Sequence, residues 1–167
     1  DQLLAEYGLS EADLQVVELS PPEMPAALAQ GQIAGYCVAE PFGAKSVTLG
    51  TGKVFARSEE LWPDSLCCAL VFNGSFLDKN RPLAKQMVKE YQQAGGYLTG
   101  HPDEQSRIAQ KYLKAKDAVL SLSLQWISYQ DLAIREPAYA ELIRRMKQAE
   151  LIKEAPAYEA FVDEAFR

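Results

Sequence analysis

The rhythm of apolar and polar positions changes partway along this chain. Up to about residue 75 the apolar residues come in short runs: QVVEL at 15–19, IAGYCV at 33–38, KVFA at 53–56 and CCALVF at 67–72. Each has the length of a strand, and the last, unbroken by polar residues, has the pattern of a central buried one. Between them lie short helical stretches. An opening segment, Asp1–Tyr7, reads as the end of a helix stopped by Gly8, and Ser10–Asp13 as a polar turn. Glu23–Ala29 is Ala-rich, begins just past Pro22 and stops at Gly31. Phe42–Leu49 is closed by Gly50-Thr51-Gly52, and Ser58–Leu61 is a serine-capped turn. Strand alternating with helix at short spacing predicts a sheet with helices packed on it.

Beyond Asn73 the period becomes helical. Arg81–Leu98 carries Leu83, Met87, Tyr91, Ala94 and Leu98 on one face, with Gly95-Gly96 a weak point near its end. His101 precedes Pro102 and two acids, the pattern of a helix start, and Lys111, Lys114 and Lys116 suit its end. Ala118–Trp126 alternates weakly and reads as either strand or helix. Ala138–Glu150 places Tyr139, Leu142, Ile143 and Met146 on one face, and Pro156 opens a last helix, 157–166. The expected fold class is α/β, with a sheet-forming first part and a helical second part.

The stretch Gln30–Phe42 is where chemistry is expected. Glu40 stands at the carboxyl end of a strand, and Pro41, without an N–H, ends the ladder. In open α/β sheets ligands bind at that edge. Glu40 is equally read as a solvated loop acid or a helix N-terminal charge. Of Tyr36 and Cys37, alternation turns one toward the edge and one toward the core. The turn Ser20-Pro21-Pro22-Glu23-Met24 makes a second strand-to-helix junction, which is either an anion-attracting end or an ordinary cap. If the two strands are parallel neighbours, both turns open on one edge.

Charge narrows the choices. The net charge is −6, and residues 1–75 hold ten acids against three bases. An acidic chain without basic clusters argues against a nucleic-acid partner, although a small anionic ligand is compatible with it. No apolar run reaches the length of a membrane span. Cys37, Cys67 and Cys68 form no CxxC pair and there is one histidine, so no metal site is expected. All three cysteines are expected to be small buried hydrophobes, with Cys67 and Cys68 on opposite sides of their strand. His101 has no evident nucleophile or carboxylate partner and reads as a surface cap residue. Trp62, on a Pro-containing loop, is a packing residue or a lid. There is no P-loop, GxGxxG, GxSxG or HExxH motif, and no enzyme is expected.

The words SPPEMPAALAQGQIAGYCVAEPF and GTGKVFARSEELWPDSLCCALVFNGSFL resemble the nitrate/sulfonate/taurine group of ABC-importer substrate-binding proteins. Within it, PPEM, GYCVAEPF and WPD-x-x-CC are most similar to the nitrate and bicarbonate binders. The resemblance implies a periplasmic-binding-protein-like type II fold of two α/β lobes with the ligand in the cleft between them. It implies that residues 1–66 are the ligand-binding portion of the second lobe. Residues 67–167 would be the crossover strand and the helical return to the first lobe. On that pattern the front of the first lobe is missing, and a chain opening in mid-helix is expected of a fragment or a processed product.

The same resemblance implies that Pro22, Glu23, Tyr36, Cys37, Glu40 and Pro41 are ligand-facing, with no cofactor. The ligand would be a small anion (nitrate, bicarbonate or a sulfonate). The partners would be an ABC permease and its ATPase. The protein would lie in the periplasm or be an extracytoplasmic lipoprotein, meeting the membrane only through the permease or a lipid anchor outside this chain. Two other readings share the scaffold: a cytoplasmic nitrate-type sensor, and a binding protein or enzyme for a thiamine-pyrimidine precursor.

Overall fold

A computed structural model describes residues 2–166. Among these described residues nine α-helices follow in order: α1 Gln2–Glu6, α2 Met24–Ala29, α3 Phe42–Thr48, α4 Ser58–Leu61, α5 Gly74–Gly100, α6 Pro102–Tyr112, α7 Asp117–Leu124, α8 Glu136–Gln148 and α9 Tyr158–Phe161. Short 3-10 turns lie at Glu11–Asp13 and Glu164–Phe166. Asp1, the first residue of the expected opening helix, lies outside the described residues. Most helix boundaries follow from local chemistry. Gly8, Gly31 and Gly50, each just past a helix, all have φ near +70°, a backbone that L side chains resist. Pro102 and Pro137 sit in the first turns of α6 and α8, where a missing N–H costs no helical bond. The ambiguous 118–126 stretch is helical, as α7.

The expected strands are the main departure. Residues 15–20, 35–39, 52–57 and 65–73 carry no helical or ladder assignment, and no strand occurs among the described residues. The backbone groups of 15–19, 33–38 and 53–56 make no hydrogen bond to one another. Several apolar side chains of these runs and of 67–72 stand in solvent, Phe55 at 76% exposure and Val71 at 77%, while Ile33, Tyr36 and Val38 are half-buried. A strand is stabilised by cross-strand pairs and by burial of one face, and these runs have neither. Strand-forming residues without a partner strand do not make a sheet.

The chain divides into two compact units, Asp1–Arg57 with Leu98–Tyr129, and Ser58–Tyr97 with Gln130–Arg167. In the first unit α3 packs on both α2 and α7, and α7 on α6. Its core is small: Pro25, Ala27, Ala44, Ser46, Val119, Leu120 and Ser123 are buried, Leu120 completely. Small residues at these contacts let short helices approach closely.

The second unit is held by aromatic residues. Tyr139 on α8 stacks on Phe161 at 4.9 Å and meets Tyr158 at 5.9 Å. The Tyr139 hydroxyl donates to the Pro156 carbonyl at 2.7 Å and the Tyr158 hydroxyl to the Ile134 carbonyl at 2.8 Å. Each buried ring thereby keeps its polar tip satisfied. Trp62 packs under the Arg145 guanidinium, 4.5 Å above the ring, in a cation–π contact. The long helix α5 departs from helical geometry at Asn80 (φ −134°), two residues before Pro82. The proline cannot donate back and its ring crowds the preceding turn, so the axis breaks there. The face expected to be buried is exposed at Leu83, Met87 and Tyr91, while Ala84 and Gly95 are buried instead. Of the Gly95-Gly96 pair, Gly95 is buried and Gly96 faces open space, and the helix runs through both.

Candidate functional site

All six residues singled out from the sequence fall in the first unit. They form two separate local constructions. At the first turn, the Glu23 carboxylate folds back on Ser20, accepting its backbone N–H at 3.1 Å and its hydroxyl in a short bond. These two bonds, the hydroxyl first, hold the Glu23 carboxyl below its ordinary range. The Glu23 N–H itself donates to the Ser20 carbonyl at 2.9 Å. Pro22 and Glu23 are exposed, and α2 runs from the next residue into the core at Pro25 and Ala27.

At the second turn the peptide bond Glu40–Pro41 is cis. Glu40 is half-buried, and its Oε2 accepts the Ala44 N–H at 3.1 Å. Ala44 belongs to the first turn of α3, whose leading N–H groups have no helical partner. Glu40 thus caps α3, which is the second of the readings its position allowed. Its other oxygen lies against Gly43, where a Cβ would come within 2.6 Å of it. Gly43 is the residue that lets the carboxylate fold over the helix start.

Tyr36 points inward. Its hydroxyl donates to the Phe42 carbonyl at 2.9 Å and, its one proton so used, accepts from the Ser46 Oγ at 2.5 Å. Ser46 is 3% exposed. Its carbonyl takes three donors from the following loop: Thr51 N at 3.0 Å, Gly52 N at 3.2 Å and Thr51 Oγ1 at 3.2 Å. Ser46 therefore ties the approach to α3, the helix and the loop leaving it into one knot. Cys37, next to Tyr36, faces solvent. No hydrogen bond or ion pair links the 20–24 turn with the 36–46 knot among the described residues. Sequence reasoning did not single out Ser46. The signal available was a serine on the α3 face that carries Phe42, one of few polar residues at an inward position.

Elsewhere the candidates resolve simply. His101 is exposed at the N-cap position of α6. The cysteines correct an expectation, since Cys37, Cys67 and Cys68 are all exposed. The Sγ atoms of Cys67 and Cys68 are 3.6 Å apart, so the two side chains share a side instead of alternating. Without a ladder to impose the pleat, consecutive residues are free to do so. No group of three or more His, Cys, Asp or Glu side chains that could hold a metal ion occurs among the described residues. Two open depressions stand out among the described residues. One, of about 480 Å³ in the second unit, is lined by Ala133, Arg135, Glu136, Pro137, Tyr158 and Glu164. The other, of about 240 Å³, is an apolar hollow among Leu3, Leu4, Tyr7, Leu9 and Phe55. None of the six candidate residues lines either. No helix of the described residues is long and apolar enough to cross a membrane.

Known proteins give the class first. Over 99% of its length the chain matches the crystal structure of a ligand-binding component of an ABC-type import system from Staphylococcus aureus, determined with zinc bound, at 35% identity and a TM-score of 0.90. It covers 56% of that protein. The sequence of the NMT1-like family matches residues 1–113, and the chain belongs to that family. It is also 32% identical over 82 residues to the nitrate/nitrite binding protein NrtA of Synechococcus elongatus. That match takes in 49% of this chain and 18% of NrtA. The chain thus spans less than two thirds of either relative.

Proposed function

We propose that this chain is part of the substrate-binding component of an ABC importer for a small anion of the nitrate class. The observation that carries the reading is the near-complete structural match, at 35% identity, to an ABC import ligand-binding component. The anion class rests on the similarity to a nitrate/nitrite binding protein. In this reading residues 1–66 are second-lobe binding surface and residues 67–167 are the crossover and its return. The ligand is held by lobe closure and leaves unchanged, so no cofactor and no catalytic group are required. The partners are a permease, met at the extracytoplasmic face of a membrane, and the ATPase that drives that permease from the other side.

The hydrogen bonds of the two turns support a division of roles among the candidate residues. The Glu23 and Glu40 carboxylates are engaged with N–H groups of their own turns. They build the turns rather than reach for a ligand, as suits a site for an anion, which a free carboxylate would repel. Ligand contacts then fall to the segment around Tyr36 and Cys37 and to the helix starts that follow the two turns, since Pro22 and Pro41 have no N–H and the Glu23 N–H is taken by the Ser20 carbonyl. Thermal unfolding with nitrate, nitrite, bicarbonate, taurine and chloride tests the reading. A solute at a hundredfold excess over its Kd stabilises by roughly 2.7 kcal/mol. Nitrate or nitrite is expected to raise the Tm above the chloride control. Equal melting in all five solutes refutes the assignment to this anion class.

A further inference from the structure

Cys67 and Cys68 lie in the extended segment that leads to α5 and take no part in the proposed anion site. Both are exposed and neither is in a disulfide. Their Sγ atoms are 3.6 Å apart. An ion placed about 2.3 Å from both sulfurs, the usual zinc–thiolate distance, would see them at an angle of about 103°, close to the roughly 109° of a tetrahedral site. Side chains of consecutive strand residues would point to opposite faces, where no single ion could reach both. The same-side arrangement is therefore what makes the pair a chelate.

We propose that Cys67 and Cys68 form a two-thiolate site for a soft, thiophilic cation. Among the described residues no third His, Cys, Asp or Glu joins them in a metal-binding group. The rest of the coordination shell is then water. An open site with two sulfur donors favours ions with high thiolate affinity over magnesium or calcium, which take oxygen donors. Binding forms two metal–sulfur bonds, displaces two waters from the ion and releases two thiol protons to solvent.

Cadmium is a suitable probe, because its bonds to thiolate give a charge-transfer absorption in the near ultraviolet. The chain, reduced with a phosphine, is titrated with cadmium and followed by absorbance and equilibrium dialysis. One ion per chain is expected. Cys67→Ser and Cys68→Ser are each expected to weaken binding by about 100-fold or more, the gain that a tethered second donor provides. Alkylation mapping on the unaltered chain adds a readout that needs no variant. Cadmium is expected to shield Cys67 and Cys68 together, while Cys37 reacts as before. Unchanged affinity in either serine variant overturns the proposal. So does equal alkylation of the pair with and without cadmium, or one ion per two chains with dimerisation in sedimentation.

Discussion

Tyr36→Phe tests whether the knot around Ser46 is a structural tie. The change removes only the hydroxyl and keeps the ring. Two hydrogen bonds vanish, to the Phe42 carbonyl and to the Ser46 Oγ. A net hydrogen bond contributes about 1 kcal/mol, and an oxygen left buried without its partner costs about 1–3 kcal/mol. Ser46 is almost fully buried, so its hydroxyl falls in the second class. The expected loss is about 2 kcal/mol, or roughly 4–8 °C in Tm for a chain of this length.

Urea unfolding followed by circular dichroism measures it, with an unchanged m-value confirming that stability itself moved. A double-mutant cycle then isolates the bond. Ser46→Ala in the Tyr36→Phe background removes the orphaned hydroxyl, so the pair is expected to fall short of the sum of the singles by about 1 kcal/mol. A Tyr36→Phe loss under about 0.5 kcal/mol, or an additive cycle, would refute the tie. Tyr36 would then be free to serve a ligand through its hydroxyl.

Two further outcomes follow from the packing and the charges. Gly52→Ala places a Cβ 2.8 Å from Leu28 Cδ2 and 3.1 Å from Ser46 Cβ; the leucine tip can rotate away but the buried serine cannot, so a loss of about 1–2 kcal/mol is expected, and an unmoved urea midpoint would contradict it. On α8, Arg144 and Arg145 both donate to the Glu141 carboxylate and hold its pKa down to about 2. A carboxyl depressed on folding adds stability above its unfolded value of about 4.3, and that stability is lost as pH falls from there toward 2. Glu141→Gln is therefore expected to flatten the acid limb of a Tm-against-pH curve, and a limb of unchanged slope would contradict the pairing.

The helices were legible because their signals are local. Glycines just past an end, prolines in a first turn and apolar residues at helical spacing decide a helix within about four residues. The stop at Gly8, the start at Pro102 and the Tyr139 face of α8 all needed nothing from elsewhere in the chain. The strands depended on partners. QVVEL and CCALVF carry strand chemistry, but pairing is a property of two segments, and no ladder forms among the described residues. The α5 face was misread for a related reason: periodicity locates a stripe of large apolar residues, but which stripe is buried depends on the surface that meets it. Leu83, Met87 and Tyr91 made the more apolar stripe, yet the small residues Ala84 and Gly95 are the ones that fit against neighbours.

At the candidate site the position of Glu40 before a helix was readable, and both its cap and its ligand roles were consistent with that. The geometry supplies the cap, because Gly43 leaves room for the carboxylate to turn inward. The paired orientation of Cys67 and Cys68 was not readable at all. Alternation is the rule for consecutive strand residues, and the rule lapses where the ladder is absent.

The bare extended runs also bear on how the chain behaves in company. Val16, Val17, Val54, Phe55, Leu70 and Val71 present apolar side chains on backbone that is already stretched out. Such segments are ready templates for any other strand, including the same run in another molecule. Glu18 and Lys53 are set within the first two of these runs and act as gatekeepers there, since stacking like charges in register is unfavourable, whereas 67–72 carries no charge. Solubility of this polypeptide therefore hangs on a few ionised side chains at its open edges more than on the depth of its core.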